Sequence, residues 1–216
     1  MRVNKSELNP KRKSQTGWTV ILALWLAAGL GAAETKTIVF FGDSITAGYG
    51  VDPDEAYPAV IQRKIDESGR PWRVVNAGLS GETTAGGLRR LDWILRQRVD
   101  IFVIELGGND GLRGIPTATT RSNLDRMIER IHRQHPRVQV VLSGMQIPTN
   151  LGPEYTRDFA AIFPEAARTG GAVLIPFLLD HVGGVPTLNQ PDGIHPTAEG
   201  HQIVAETVWR TLLPLL

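Results

Sequence analysis

The feature that most constrains this chain is an alternation. From residue 37 onward, short continuous apolar runs take turns with longer amphipathic stretches. Thr37–Phe41, Trp72–Asn76, Asp100–Glu105, Val138–Leu142 and Ala172–Ile175 are rich in β-branched and aromatic residues, and read as strands. Residues 57–68, about 83–98, about 119–135, 153–169 and about 197–213 read as helices. In the second of these, Thr83 or Thr84 suits the cap, and Leu88, Leu91, Ile94 and Leu95 share a face. In the third, Leu124, Met127, Ile128 and Ile131 do the same. Pro164 is expected to kink or split the fourth. Strands that are apolar throughout, rather than at every second residue, are covered on both faces. With helices between them they form a parallel sheet joined by right-handed crossovers. The expected fold is therefore α/β, a three-layer α/β/α sandwich around five parallel strands. Such sheets bind ligands beyond the carboxyl ends of their strands.

Residues 1–33 stand outside this pattern. They hold five of the basic residues (Arg2, Lys5, Lys11, Arg12, Lys13) and one acid, Glu7. Gly17 to Ala33 is an uncharged run of 17 residues ending in Gly31-Ala32-Ala33. Basic region, apolar stretch and small-residue site follow the order of a secretory signal peptide. An uncleaved membrane anchor and a buried N-terminal helix are the competing readings, the run being at the short limit for a bilayer span. Cleavage after Ala33 would leave one catalytic-sized domain, 34–216, in the periplasm or outside the cell, with no stable membrane span. That body carries 18 basic and 21 acidic residues, so nucleic acid is not an expected partner. The absence of cysteine removes disulfides, thiolate nucleophiles and Cys-ligated zinc.

Four Gly-containing loops fall at the strand ends. Gly42-Asp43-Ser44-Ile45-Thr46 follows the first strand, Asn76-Ala77-Gly78-Leu79-Ser80-Gly81 the second and Gly107-Gly108-Asn109-Asp110 the third. Asp192-Gly193-Ile194-His195-Pro196 precedes the last helix. Taken singly, Ser44 is a plausible helix cap and Asn109 an ordinary turn residue. Together they supply a set of chemistry. A serine hydroxyl needs a base to become a nucleophile, and imidazole titrates near neutrality. Asp192, three residues before His195, suits the partner that fixes the imidazole tautomer. Backbone N–H groups of Ser44 and Gly78 and the Asn109 side-chain amide could receive a developing oxyanion.

These blocks resemble those of the SGNH, or GDSL, hydrolases: Ser44 in GDSIT, Gly78 in NAGLSGET, Asn109 in GGND and His195 in DGIHP. They occur in the family order, and the similarity spans about residues 37–213. ELGGNDGLRG, residues 105–114, points to the bacterial periplasmic acyl-CoA thioesterase I, lysophospholipase and arylesterase branch. The resemblance implies a flavodoxin-like sheet of order 2-1-3-4-5. It implies Ser44 as nucleophile, His195 as base, Asp192 as its partner, and Ser44, Gly78 and Asn109 as the oxyanion hole. No metal or cofactor is implied.

The expected reaction is hydrolysis of carboxylic esters or thioesters of small molecules (aryl esters, acyl-CoA, lysophospholipids) through an acyl-enzyme, by a chain expected to be a monomer. Residues 111–118 and 145–153 are the expected selectivity loops. Arg113 could meet a polar or anionic group of the substrate, and Met145, Ile147, Pro148 and Leu151 suit an acyl chain. The alternative to the last assignment is a loop packed on its own core. A carbohydrate O-acetyl esterase is the second reading of the same site, and a non-catalytic flavodoxin-like binding module the third. His132, His135 and His201 are expected to be solvated, His181 to lie off the site, Trp72 and Trp93 to be core, and Asp43 and Asp110 to shape their loops.

Overall fold

The structure is a computed structural model that describes Met1 and residues 34–216. The signal-peptide expectation lies outside the described residues. Among those described, no helix is long and apolar enough to cross a membrane.

Five strands form one parallel sheet: β1 (Lys36–Gly42), β2 (Trp72–Asn76), β3 (Ile101–Glu105), β4 (Gln139–Ser143) and β5 (Val173–Ile175). Their order is β2-β1-β3-β4-β5. In the centre, Val39 pairs with both Val75 and Phe102, and Phe102 with Val140. Every residue of β3 is buried, and all of β1 after Lys36. The edge strands β2 and β5 are partly exposed, as one-sided packing predicts.

Connection handedness decides the layers. The chain steps from β1 to β2 in one direction, and from β2 through β3 and β4 to β5 in the other. Right-handed crossovers therefore put α2 (Tyr57–Glu67) on one face and α3 (Thr84–Ile94), α5 (Thr117–Gln134) and α6 (Pro153–Gly170) on the opposite one. The packing agrees: α3 lies against α5 and α5 against α6, while α7 (Ala198–Leu212) returns to lie beside α2. Two short helices, α1 (Ser44–Ala47) and α4 (Gly108–Leu112), leave the ends of β1 and β3. The order reverses between those two strands, where α/β sheets open a crevice.

Several local expectations are corrected. Helix α3 stops at Ile94, and Leu95 to Gln97 continue only as turns. Pro164 does not split α6. The proline cannot bond Ala160, but both residues are exposed, so water can satisfy that carbonyl. Trp93 is exposed rather than core, because it lies off the α3 stripe of Leu88, Leu91 and Ile94. His201 is fully buried rather than solvated, because it falls on the α7 stripe with Val204, Ala205, Val208 and Leu212. His132 and His135 are half-buried, with Nε2 atoms on the carbonyls of Gly170 and Leu95.

Candidate active site

The turn after β1 places Ser44 at the first position of α1. Asp43 caps that helix, its Oδ1 accepting the Ile45 N–H at 3.0 Å. As a first helical residue, Ser44 has no intrahelical partner for its own N–H. Its Oγ lies 2.9 Å from His195 Nε2, across 151 residues of chain. His195 Nδ1 donates to Asp192 Oδ2 at 2.6 Å. The other Asp192 oxygen accepts backbone N–H groups from Ile194 (2.9 Å) and His195 (3.0 Å), which folds the loop back so that both side chains meet. The His195 side-chain hydrogen bond, then its backbone N–H, hold the Asp192 carboxyl down to about 2. With Nδ1–H directed at a carboxylate, Nε2 is the lone-pair nitrogen facing Ser44.

Two contacts tie this loop to the turn after α1. The Tyr49 ring packs on the His195 ring, centroids 4.6 Å apart. Gln190 donates its side-chain amide to the carbonyls of Tyr49 (2.7 Å) and Pro196 (3.0 Å). Neither residue is among those the sequence motifs point to, since both act through position rather than reactive chemistry.

Asn109, at the start of α4, donates Nδ2 to Asp43 Oδ2 at 3.0 Å, which leaves its second amide hydrogen for the groove. Gly78 is required by packing: a Cβ there would meet the Ala47 backbone nitrogen at 2.2 Å. Its N–H donates to Asn76 Oδ1 at 2.9 Å. Asp110 is buried and accepts from both the N–H and hydroxyl of Thr84, anchoring α4 to α3.

A groove of about 520 Å³ opens at Ser44, Asn109 and His195. Its walls include Met145, Ile147 and Pro148, with Leu112, Phe177, Leu179 and Ile194. Met145 and Ile147 are also largely buried, so the loop packs on the core and presents one face to the groove. Leu151 is exposed and outside the groove wall. Arg113 is also outside it: its guanidinium donates to Gly81 O (3.1 Å) and Asn109 Oδ1 (3.4 Å). His181 is exposed and lies off the groove. Phe177 and Leu179 carried no motif, but they follow the last strand, where the strand-end rule would have sent a search. Among the described residues, no group of three or more acidic or histidine side chains could hold a metal ion.

The GDSL-like lipase/acylhydrolase family model matches residues 40–203, most of the domain just described. The chain belongs to that family. It is 42% identical to the esterase TesA of Pseudomonas aeruginosa over 90% of this chain and 96% of that one. It is 34% identical to thioesterase 1/protease 1/lysophospholipase L1 of Escherichia coli K12, over 86% of this chain and 87% of that one. A crystal structure of TesA superposes with a TM-score of 0.80 at 41% identity, covering 84% of this chain and all of that one. This GDSL-like protein is a carboxylic ester hydrolase on the SGNH hydrolase fold, which sets aside the non-catalytic binding module.

Proposed function

We propose that this hydrolase works through a Ser44–His195–Asp192 triad on small-molecule esters and thioesters with apolar acyl chains. The observation that carries the proposal is the continuous hydrogen-bonded line from Asp192 through His195 to Ser44 at the mouth of an apolar groove. Ser44 Oγ attacks the acyl carbon while His195 Nε2 takes the hydroxyl proton. The resulting imidazolium is stabilised by Asp192 and gives that proton to the departing alcohol or thiol. Water, deprotonated by His195, then cleaves the acyl-enzyme; the acid leaves and the serine regains its proton.

During both steps negative charge gathers on the acyl oxygen. The Ser44 N–H and the second Asn109 amide hydrogen are the donors ready for it, each worth roughly 10²–10³ in rate. Gly78 joins them only by sharing or releasing the bond to Asn76.

Acyl selection falls to Met145, Ile147 and Pro148, joined by Leu112, Phe177, Leu179 and Ile194. Exposed Leu112 and Ile194 on the groove wall, with exposed Tyr49 against His195, favour lipid-like acyl donors, lysophospholipids included, over acetylated sugars. Arg113 serves by steadying Asn109 rather than by meeting substrate. Residues 1–33 act as a secretory signal that delivers the 34–216 domain to the periplasm or the medium, where it works as a monomer.

Initial rates on p-nitrophenyl esters from acetate to palmitate test the reading, with Ser44→Ala as the blank. The expected profile depends on Ser44, peaks at medium or long chains, and shifts to shorter ones in Ile147→Trp. Activity confined to acetate would instead favour the O-acetyl esterase. Terminal sequencing of exported protein should begin at Glu34.

A further inference from the structure

Beneath Ser44 lies a polar cluster that the reaction above does not use. Glu105 ends β3, the one ionisable residue in a strand otherwise made of Ile, Phe, Val and Ile, and it is fully buried. Its Oε2 accepts the Asp43 N–H at 3.2 Å and the Thr46 hydroxyl at 2.7 Å. Thr46 in turn meets the Tyr57 hydroxyl at 2.8 Å. The other oxygen, Oε1, is buried with no donor to accept from among the described residues. The chain is shaped around this carboxyl: a Cβ on Gly42 would meet Thr46 Oγ1 at 2.1 Å and Glu105 Oε2 at 2.5 Å.

Asp43 is the second buried carboxyl here, and its own backbone N–H rests on Glu105 Oε2. Its two oxygens already accept N–H donors, one from Ile45 and one from Asn109. Two carboxylates in contact, both out of water, cannot both stay ionised. Asp43 is better supplied, with two N–H groups and the start of α1. Glu105 has one N–H, one hydroxyl and a bare oxygen. A proton on Glu105 removes its charge from this buried layer and leaves Oε2 to accept from Asp43 and Thr46.

We propose that Glu105 is a positioning residue that acts as a buried neutral acid, holding Asp43, and through it the Asn109 amide, in place beside Ser44. The inference rests on the Ser44 reading. Burial, then the charge of Asp43, push the Glu105 carboxyl well up, in keeping with this division of the proton. The other groups facing the pair leave it intact. Tyr57 is held neutral by burial. His201 packs behind Tyr57 and is pushed down to about 4 by burial, then by the charge of His195. His195 acts on Asp43 at a distance, and Arg90 reaches the pair's backbone at Gly42 O, with Glu82 as its own partner. Asp110, the remaining acid of this layer, is engaged by Thr84.

Glutamine reproduces a neutral acid: the same length, no charge, and one oxygen to accept from Asp43 N–H and Thr46. The test compares Glu105→Gln and Glu105→Ala by steady-state kinetics, and by infrared difference spectra against the parent at about pH 8, where an ordinary glutamate is ionised. The parent should show a carboxylic-acid carbonyl band that Glu105→Gln lacks. Glu105→Ala should lose about 10²-fold in kcat with little change in KM, the scale of a misplaced oxyanion donor. Glu105→Gln should recover most of that loss. Absence of the acid band in the parent, or a Glu105→Gln enzyme as impaired as Glu105→Ala, would overturn the proposal. If Glu105→Ala does not fold, the band and the Gln enzyme still decide. The band needs no turnover, so a Ser44→Ala enzyme that kept its activity would sink the triad reading and leave the Glu105 result standing.

Discussion

The two sides of the site are held in opposite ways. Ser44 stands on a buried turn between two central strands, 9% exposed, with Asp43, Thr46 and Glu105 locked beneath it. His195 and Asp192 stand on a surface loop, where the Asp192 side chain is 39% exposed. The first side is shaped by the core and its buried polar atoms. The second is shaped by short-range bonds within its own turn, plus Gln190 and the Tyr49 ring. A substitution among the buried groups beneath Ser44 should therefore disturb folding and turnover together, whereas one on the His195 side should disturb turnover alone.

The sharpest way to break this contrast is at the atoms proposed to react. Ser44→Ala should cost on the order of 10⁴–10⁶ in kcat while leaving the melting temperature nearly unchanged, since only an oxygen is removed. Asp192→Asn should come next, roughly 10⁴-fold down in kcat. The asparagine keeps an oxygen for the N–H groups of Ile194 and His195, so the loop should survive. Its amide would instead press the imidazole towards the wrong tautomer. Intact circular dichroism with lost turnover is the expected pair of readings. A large drop in melting temperature would show that the exposed loop supports the fold.

Asn109→Ala should lower kcat about 10²–10³-fold. It lies nearer the buried side and frees Asp43 Oδ2, so a modest loss of stability should accompany it. Gly42→Ala carries no reacting atom, yet it should destabilise by about 1–3 kcal/mol, because its Cβ collides with Thr46 and Glu105. Urea denaturation would read that directly; a neutral result would mean that the turn beneath Ser44 yields more easily than its packing implies.

Acid should reveal the smallest difference. His201 is buried and its pKa falls to about 4 from the ordinary 6.5. Between those values the unfolded chain binds more protons than the folded one. The contribution of His201 itself is thus complete above about pH 6.5 and is lost as pH drops to about 4, by at most roughly 3 kcal/mol. Thermal melts of His201→Asn should show a flatter decline over that range than the parent. Asp192, held down to about 2 from 3.8, adds its own loss only at the acid end, from about pH 5 downward.

Much of this was legible in one dimension. Period and composition mark all five strands: the central ones because a strand buried on both faces has to be apolar at every residue, the edge strands β2 and β5 through their Val and Ile residues. The same arithmetic marks α5 and α7 nearly to the residue. Ser44, Gly78, Asn109, Asp192 and His195 stand out because reactive groups are set in Gly-containing loops at strand ends. The Trp93 and His201 corrections were available from helical spacing, and were missed by weighing residue type above position on the stripe.

The rest depended on the third dimension. Glu105 looks like the polar end of a strand until β1 brings the Asp43 turn against it. Phe177 and Leu179 carry no motif, and stand out only where the groove opens beside them. That Arg113 bonds to Gly81 and Asn109 shows only in three dimensions. Sequence pattern determines which residues must be buried and which loops carry reactive groups, since both follow from spacing along the chain. Which carboxyl keeps a proton, and which N–H remains ready for an oxyanion, depends on groups drawn from distant segments. Desolvation and hydrogen-bond partnership arise only when those segments meet.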